Sequence, residues 1–309
     1  MRARDLFFRF GAWWIQSRYR VVFAPLGMVW DFASRLRHFL YDVKIWKSNK
    51  VSVPVISVGN LAVGGTGKTP LVIRLAKAFE DHKLAIILRG YGKDEEKILQ
   101  RHLPNVKIYA DPNRVKTAQR AIGDGAELIL LDDGFQYRRL AKDLEIVILR
   151  KNDLQNRCIP AGDLREGPHR LQKADIIVWD HDLQIKVQRI LTLDHQEIAS
   201  IKGEKVGLFC GIGTPQKFRK TLLELGAVIL AEWIVADHEP VRMNSLKSFY
   251  ETCKRLGVKY LVCTEKDAVK LENTSLPILF LEIGMEVIGF EKLIAKIEER
   301  LYNHCHDGR

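Results

Sequence analysis

The sequence has little cysteine and no long apolar run, and both shortages narrow what it can be. Its five cysteines, Cys158, Cys210, Cys253, Cys263 and Cys305, show no C-x-x-C spacing. That excludes a disulfide-stapled scaffold and a zinc ribbon, and it fits a reducing, cytoplasmic compartment. The longest uncharged run in the first fifty residues, Val21–Trp30, is ten residues long and contains a proline. Crossing a bilayer takes about 20 apolar residues, so this segment is expected to lie on a membrane without spanning it. No compact apolar stretch with a small-residue cleavage site marks a signal peptide. Repeats, low-complexity tracts and an N-K-x-D guanine motif are also missing.

What is present is an ordinary globular balance over 309 residues, 47% hydrophobic and 28% charged, enough for two domains. The net charge of +11 is uneven: residues 1–50 hold ten Lys/Arg against three acids, a net of +7. Phe7, Phe8, Phe10, Trp13, Trp14, Phe23, Trp30, Phe32 and Phe39 are interleaved with those cations. Such a mixture suits an anionic membrane surface, where rings sit at headgroup depth and cations meet lipid phosphates. Composition alone equally allows the rings to pack on the protein and the arginines to be solvated. A nucleic-acid partner fits the charge but has no motif behind it, and none is expected.

Short apolar runs alternate with helical patterns. Strands are expected at 53–58, 84–89, 127–132, 145–150, 175–179, 206–210, 260–264 and 278–282, and helices starting near 69, 95, 113, 215, 244 and 290. Several strand runs are apolar almost throughout, as when helices cover both faces of a parallel sheet. The expectation is a doubly wound, mostly parallel α/β fold of P-loop NTPase type, with a second, smaller α/β lobe and an N-terminal amphipathic helix. A polar stretch near residue 200 suggests three parts: a membrane-contact segment 1–45, a nucleotide-binding domain 46–200 and a C-terminal domain 201–309.

After the first strand comes Gly59-Asn60-Leu61-Ala62-Val63-Gly64-Gly65-Thr66-Gly67-Lys68-Thr69, close to the P-loop pattern G-x-x-x-x-G-K-[ST] with Ala62 at the first glycine position. Gly64, Gly65 and Gly67 let successive N–H groups converge, with Thr66 in the same loop. Lys68 is placed to reach β- and γ-phosphates, and Thr69 to ligate Mg²⁺. A helix then starts at a phosphate-favouring N-terminus, with Leu71, Leu75, Ala78 and Phe79 as its apolar stripe. The run ELILLDDGFQ ends in Asp132 and Asp133, which supply carboxylates on the metal side. These residues reach an Mg²⁺-nucleotide site and leave kinase, NTPase and GTP switch open.

Taken together, VPVISVGNLAVGGTGKTP, RGYG, LDDGFQ, PAGDLRE, ADHEP and TEKDAVKL resemble, in order and spacing, the tetraacyldisaccharide 4′-kinases, the lipid A kinases, over about residues 10 to 300. The resemblance implies ATP- and Mg²⁺-dependent phosphorylation of the 4′-hydroxyl of an acylated glucosamine disaccharide 1-phosphate. It implies work at the cytoplasmic face of a bacterial inner membrane, by peripheral contact with its anionic surface. By position, Lys68 and Thr69 look like the phosphate and metal residues and Asp132 and Asp133 the metal-side pair. Asp94, in KDEE, is the best match to the family's hydroxyl-activating Asp, and His238, in ADHEP, to its assisting His. Arg114 and Arg165 fall on family positions suited to the substrate's phosphate, Arg89 lies after a strand beside the P-loop, and Gln136 and Asn60 are candidates to face the sugar.

This chain departs from the family in three places. Tyr137 stands where the family usually has His, the motif around Asp94 lacks its Gly and Pro, and the lid insertion before it is short. Thr264, Lys266 and Asp267 match a family motif without an assigned role. Two rival readings survive: a membrane-associated P-loop ATPase, and a non-catalytic nucleotide-responsive adaptor.

Overall fold

In the computed structural model, residues 22–90, 93–236, 241–271 and 274–307 are described. Helix α1 (Ala24–Asp42) carries a proline in its first turn, where a missing N–H costs nothing. There follow β1 (Val55–Asn60), α2 (Lys68–Ala78), β2 (Leu84–Leu88), α3 (Lys93–His102), β3 (Lys107–Ala110), α4 (Arg114–Gly123), β4 (Leu128–Asp132), β5 (Leu144–Leu149), β6 (Ile176–Trp179) and β7 (Leu183–Thr192). The remainder is β8 (Lys205–Cys210), α5 (Pro215–Glu224), β9 (Val228–Ile234), α6 (Met243–Arg255), β10 (Tyr260–Thr264), the short α7 (Glu265–Ala268), β11 (Ile278–Val287) and α8 (Phe290–Asp307).

Internal contacts divide the described chain into two units, one of residues 22–184 and 285–307, the other of residues 185–284. The first contains a six-stranded sheet in the order β3-β2-β4-β1-β5-β6 with every pairing parallel. All residues of β1, β2, β4 and β5 are buried. Successive strand residues point to opposite faces, so both faces must be covered. Ile56, Val58, Ile86 and Leu130 share one apolar cluster with Leu71 and Leu75 of α2, Leu99 of α3 and Ile297 of α8. Val55, Ile87, Ile129 and Leu131 share another with Ala118 and Ala121 of α4. On α2 the buried stripe is Leu71, Val72, Leu75 and Ala76, and the expected Ala78 faces out.

The second unit holds the sheet β7-β11-β10-β8-β9, with β11, β10, β8 and β9 paired in parallel. It too has an apolar cluster on each face, one around Leu208 and Val262, the other around Phe209 and Leu261. Asp267 is fully buried here, accepting from the Gly211 N–H (3.1 Å) and the Thr264 hydroxyl (2.6 Å). It ties the loop after β8 to the N-terminus of α7, a structural duty for the TEKD stretch within this unit.

The three strands that the sequence pattern did not reveal, β3, β7 and β9, are all sheet edges. β3 and β7 mix polar with apolar residues, as edge strands without continuous cover do, while β9 is apolar but for Glu232 and alternates exposed and half-buried residues. The division also differs from a single boundary near 200. The chain leaves the first unit along β7 and returns along β11, and α8 adds Leu293 and Ile297 to the first unit's core.

Candidate active site

Register builds the site. Strand β1 lies between β4 and β5, with Val58 opposite Asp132, so the glycine loop after β1 and the acids closing β4 emerge side by side. In doubly wound sheets such carboxyl-end crevices take ligands. Close approach is what glycine supplies at two points. A Cβ on Gly59 would lie 2.5 Å from Phe135 Cβ, and one on Gly134 2.5 Å from Ser57 Oγ.

The loop first runs back against residues 163–165. Ala62 bridges Leu164, the Val63 N–H donates to the Asp163 carbonyl, and the Arg165 N–H donates to the Leu61 carbonyl, both at 2.7 Å. Ala62 is buried and needs no left-handed backbone, which explains why alanine serves at this position. The left-handed residues come later, at Gly64 (φ +107°) and Gly67 (φ +87°), and a Cβ built on Gly64 or Gly65 meets open space. Gly67 is the N-cap of α2, with no side chain capping the helix, so its first N–H groups are available to an anion.

Polar side chains converge beside this cradle. Lys68 Nζ donates to Asn60 Oδ1 (3.2 Å) and lies 3.5 Å from Asp133 Oδ1. Asn60 Nδ2 donates to Thr66 Oγ1 at 2.8 Å. The Thr69 hydroxyl donates to Asp132 Oδ2 (3.1 Å), while Asp132 Oδ1 is buried with no partner among the described residues. Burial pushes the Asp132 carboxyl up to about 7, with the negative charge of Glu95 adding to the rise and Lys68 opposing it. Burial would also raise Asp133, but the charges of Lys68 and Arg165 outweigh it and hold that carboxyl below its usual value. Arg165 Nη1 donates to both Asp133 oxygens (2.8 and 2.6 Å). The adjacent acids are therefore unlike: one buried with an idle oxygen beside a threonine hydroxyl, the other ionised and gripped by cations. An idle carboxylate oxygen plus a hydroxyl suits a hard divalent cation such as Mg²⁺, and the open glycine cradle suits a polyphosphate.

The remaining expected residues divide. Asn60, expected to face a sugar, is fully buried and spends its carboxamide on Thr66 and Lys68. Arg114, expected at a phosphate, is 1% exposed; it donates to the Asp133 carbonyl (2.9 Å) and sits over the Tyr137 ring at 5.2 Å. Gln136 donates to the Asn60 carbonyl (2.8 Å). Asn60 and Arg114 brace the loops from within, while Gln136 is half-buried and its Oε1 has no partner among the described residues. Arg165 is partly exposed on Asp133, and Arg89 is exposed at the end of β2. Asp94 is half-buried in the first turn of α3, and His238 lies outside the described residues. Sequence reasoning passed over Glu95, whose charge bears on Asp132, although it stands in the same acidic first turn as Asp94. It also missed Lys142, which donates to the Gly134 and Phe135 carbonyls at 3.1 and 3.3 Å. No local pattern marks that lysine.

Comparison with known proteins identifies the family. The family model described as LpxK, tetraacyldisaccharide-1-P 4′-kinase, matches residues 19–302. A tetraacyldisaccharide 4′-kinase of Syntrophus aciditrophicus is 31% identical, covering 85% of this chain and 88% of that protein. The one of Chlamydia trachomatis is 34% identical over 82% of this chain and 83% of its own length. Among solved structures, the "apo" form of LpxK from Aquifex aeolicus in complex with ATP superposes with a TM-score of 0.78 at 28% identity, covering 92% of this chain and 99% of that one. The chain belongs to the tetraacyldisaccharide-1-phosphate 4′-kinase family.

Proposed function

We propose that this chain transfers the γ-phosphate of ATP to the 4′-hydroxyl of a tetraacyldisaccharide 1-phosphate, the lipid A precursor, at the cytoplasmic face of a bacterial inner membrane. The observation that carries the site assignment is the meeting of the open glycine cradle, Lys68 and Thr69 with the unpartnered oxygen of Asp132. The amides of Gly64, Gly65, Thr66 and Gly67 and the N-terminus of α2 bind the phosphates. Lys68, held ready by Asn60 and Asp133, moves onto the transferring group and offsets its charge. Thr69 and Asp132, with Asp133 beside them, would hold Mg²⁺, which supplies charge neutralisation on the phosphate oxygens. Asp94 accepts the proton of the attacking hydroxyl, with His238 assisting. Arg165 and Arg89, both with exposed surface, are the cations left to meet the substrate's 1-phosphate.

Lipid delivery is assigned to α1. Met28, Val29, Phe32, Leu36 and Phe39 are exposed on it, and patches of this kind mark membrane or partner contact. No described helix is long and apolar enough to cross a membrane, so surface contact is the mode proposed.

The test is transfer of label from γ-labelled ATP to tetraacyldisaccharide 1-phosphate in detergent micelles. Wild type labels the lipid, and Lys68→Ala lowers kcat by at least about a hundredfold, as expected for a lost charge-stabilising group. Release of phosphate to water with unlabelled lipid would instead make the chain an ATPase, and binding without turnover an adaptor.

A further inference from the structure

Helix α1 buries only Gly27 and His38, yet its polar groups reach far along the chain to the loops that carry the site. Trp30 Nε1–H donates to the Arg165 carbonyl at 2.9 Å. Arg37 Nη2 donates to Glu166 Oε1 at 2.5 Å and to the Gln136 carbonyl at 3.4 Å. His38 Nε2 lies 2.8 Å from the same Glu166 oxygen, and Arg138 of the loop donates back to Asp42 Oδ1 at 2.8 Å. Gly27 lets the helix lie close: a Cβ there would be 2.9 Å from Ala161 Cβ and from the Cys158 carbonyl.

What these groups hold is connected to the phosphate side. Arg165, whose carbonyl Trp30 ties down, grips both oxygens of Asp133, and Asp133 faces Lys68. Gln136, whose carbonyl Arg37 reaches, holds the Asn60 carbonyl, and Asn60 holds Lys68. Glu166 is 2% exposed, with Arg37 and, at 3.7 Å, Arg170 as its ionic partners and His38 as a hydrogen-bond partner. A buried carboxylate that loses a partner is costly, so the 165–166 segment depends on Arg37 and His38 of α1.

We propose that Trp30, Arg37 and His38 of α1 are positioning residues of the nucleotide site, acting through Arg165–Glu166 on Asp133 and through Gln136 on Asn60 and Lys68. The proposal rests on reading that site as the Mg²⁺-ATP site. It makes α1 part of the phosphate-side geometry, and Mg²⁺-ATP affinity then depends on α1 even where no lipid is present.

The experiment measures the Kd of Mg²⁺-ATP by calorimetry on the full chain without lipid, for wild type, Trp30→Phe, Arg37→Ala and Arg37→Lys. The kcat and both KM values are measured in micelles in parallel. Trp30→Phe keeps the ring and loses only the N–H, so it separates positioning from misfolding, and urea midpoints check that it folds. Both Trp30→Phe and Arg37→Ala are expected to weaken Mg²⁺-ATP about fivefold and to lower kcat similarly, with KM for the lipid changed by less than about twofold. Arg37→Lys, which can reach one of the two acceptors, recovers part of the loss. Nucleotide affinity and kcat equal to wild type in both variants, or a loss confined to KM for the lipid, would overturn the proposal and leave α1 a contact surface. Wild type that binds Mg²⁺-ATP but labels no lipid would sink the kinase reading while the Kd comparison still judges this one.

Discussion

Asp132 and Asp133 are neighbours in sequence and opposites in chemistry. The parity of β4 sends Asp132 into the space between strand and α2, where Thr69 meets it. The next residue takes a left-handed backbone (φ +55°) and turns its carboxylate toward Lys68 and Arg165. A non-glycine residue at positive φ is strained, and the Arg114 and Arg165 contacts on Asp133 hold it there. The first turn of α3 carries three further acids, Asp94, Glu95 and Glu96, and the first two are predicted to separate in the same way. Asp94→Asn should lower kcat by about a hundredfold with KM for ATP nearly unchanged, the signature of a lost proton acceptor. Glu95→Gln removes a negative charge near Asp132, so the half-saturating Mg²⁺ concentration should rise a few-fold while kcat at saturating Mg²⁺ holds. Equal loss of kcat in the two variants would move the base to Glu95.

At the scale of elements, α1 is attached by charge more than by apolar burial, and this makes its docking acid-sensitive. Burial lowers the His38 pKa, an effect that the Glu166 hydrogen bond only partly opposes. The neutral ring then donates from Nε2 to Glu166, leaving Nδ1, 3.4 Å from Arg138 Nη1, to accept. Glu166 would be raised by burial, but His38, Arg37 and Arg170 lower it overall. Both folded pKa values lie below their unfolded values, so between them the unfolded chain binds more protons. Their contribution is complete above the unfolded His value near 6.5. It declines as pH falls through the folded His38 value, and again in the carboxylate range. The urea midpoint should therefore fall between about pH 7.5 and about pH 5.5. His38→Gln, which keeps a donor for Glu166 but cannot titrate, should show a smaller fall. An identical pH profile in the variant would remove His38 as a source of the effect.

At the scale of the molecule, a net charge of +11 and the exposed apolar face of α1 favour an anionic surface. Co-sedimentation should show tighter binding to vesicles containing phosphatidylglycerol than to pure phosphatidylcholine. Salt should weaken it as the Debye length contracts from about 10 Å at 0.1 M to about 3 Å at 1 M. Phe32→Ser should reduce binding further, because it removes an exposed ring from the contact face. Equal binding to neutral and charged vesicles would leave the basic charge without this role.

The sequence by itself determined the parts whose causes are local. Continuous apolar strings announced the buried strands, glycines followed by Lys68-Thr69 announced the loop, and the acids at the end of ELILLDDG announced the partner strand. Each is a matter of side-chain parity or backbone freedom within a few residues. The edge strands β3 (KIYA) and β7 (LQIKVQRILT) stayed hidden because polar residues interrupt them, whereas β9 (VILAEWI) is an apolar run that sequence reasoning passed over. Only the tertiary structure decided which polar residues meet across the loops. Arg114 meets Asp133, Gln136 meets Asn60, and α1 reaches Arg165, Glu166 and Gln136, because partners 19 to 135 residues apart meet only once β1 has paired with β4 and α1 has docked.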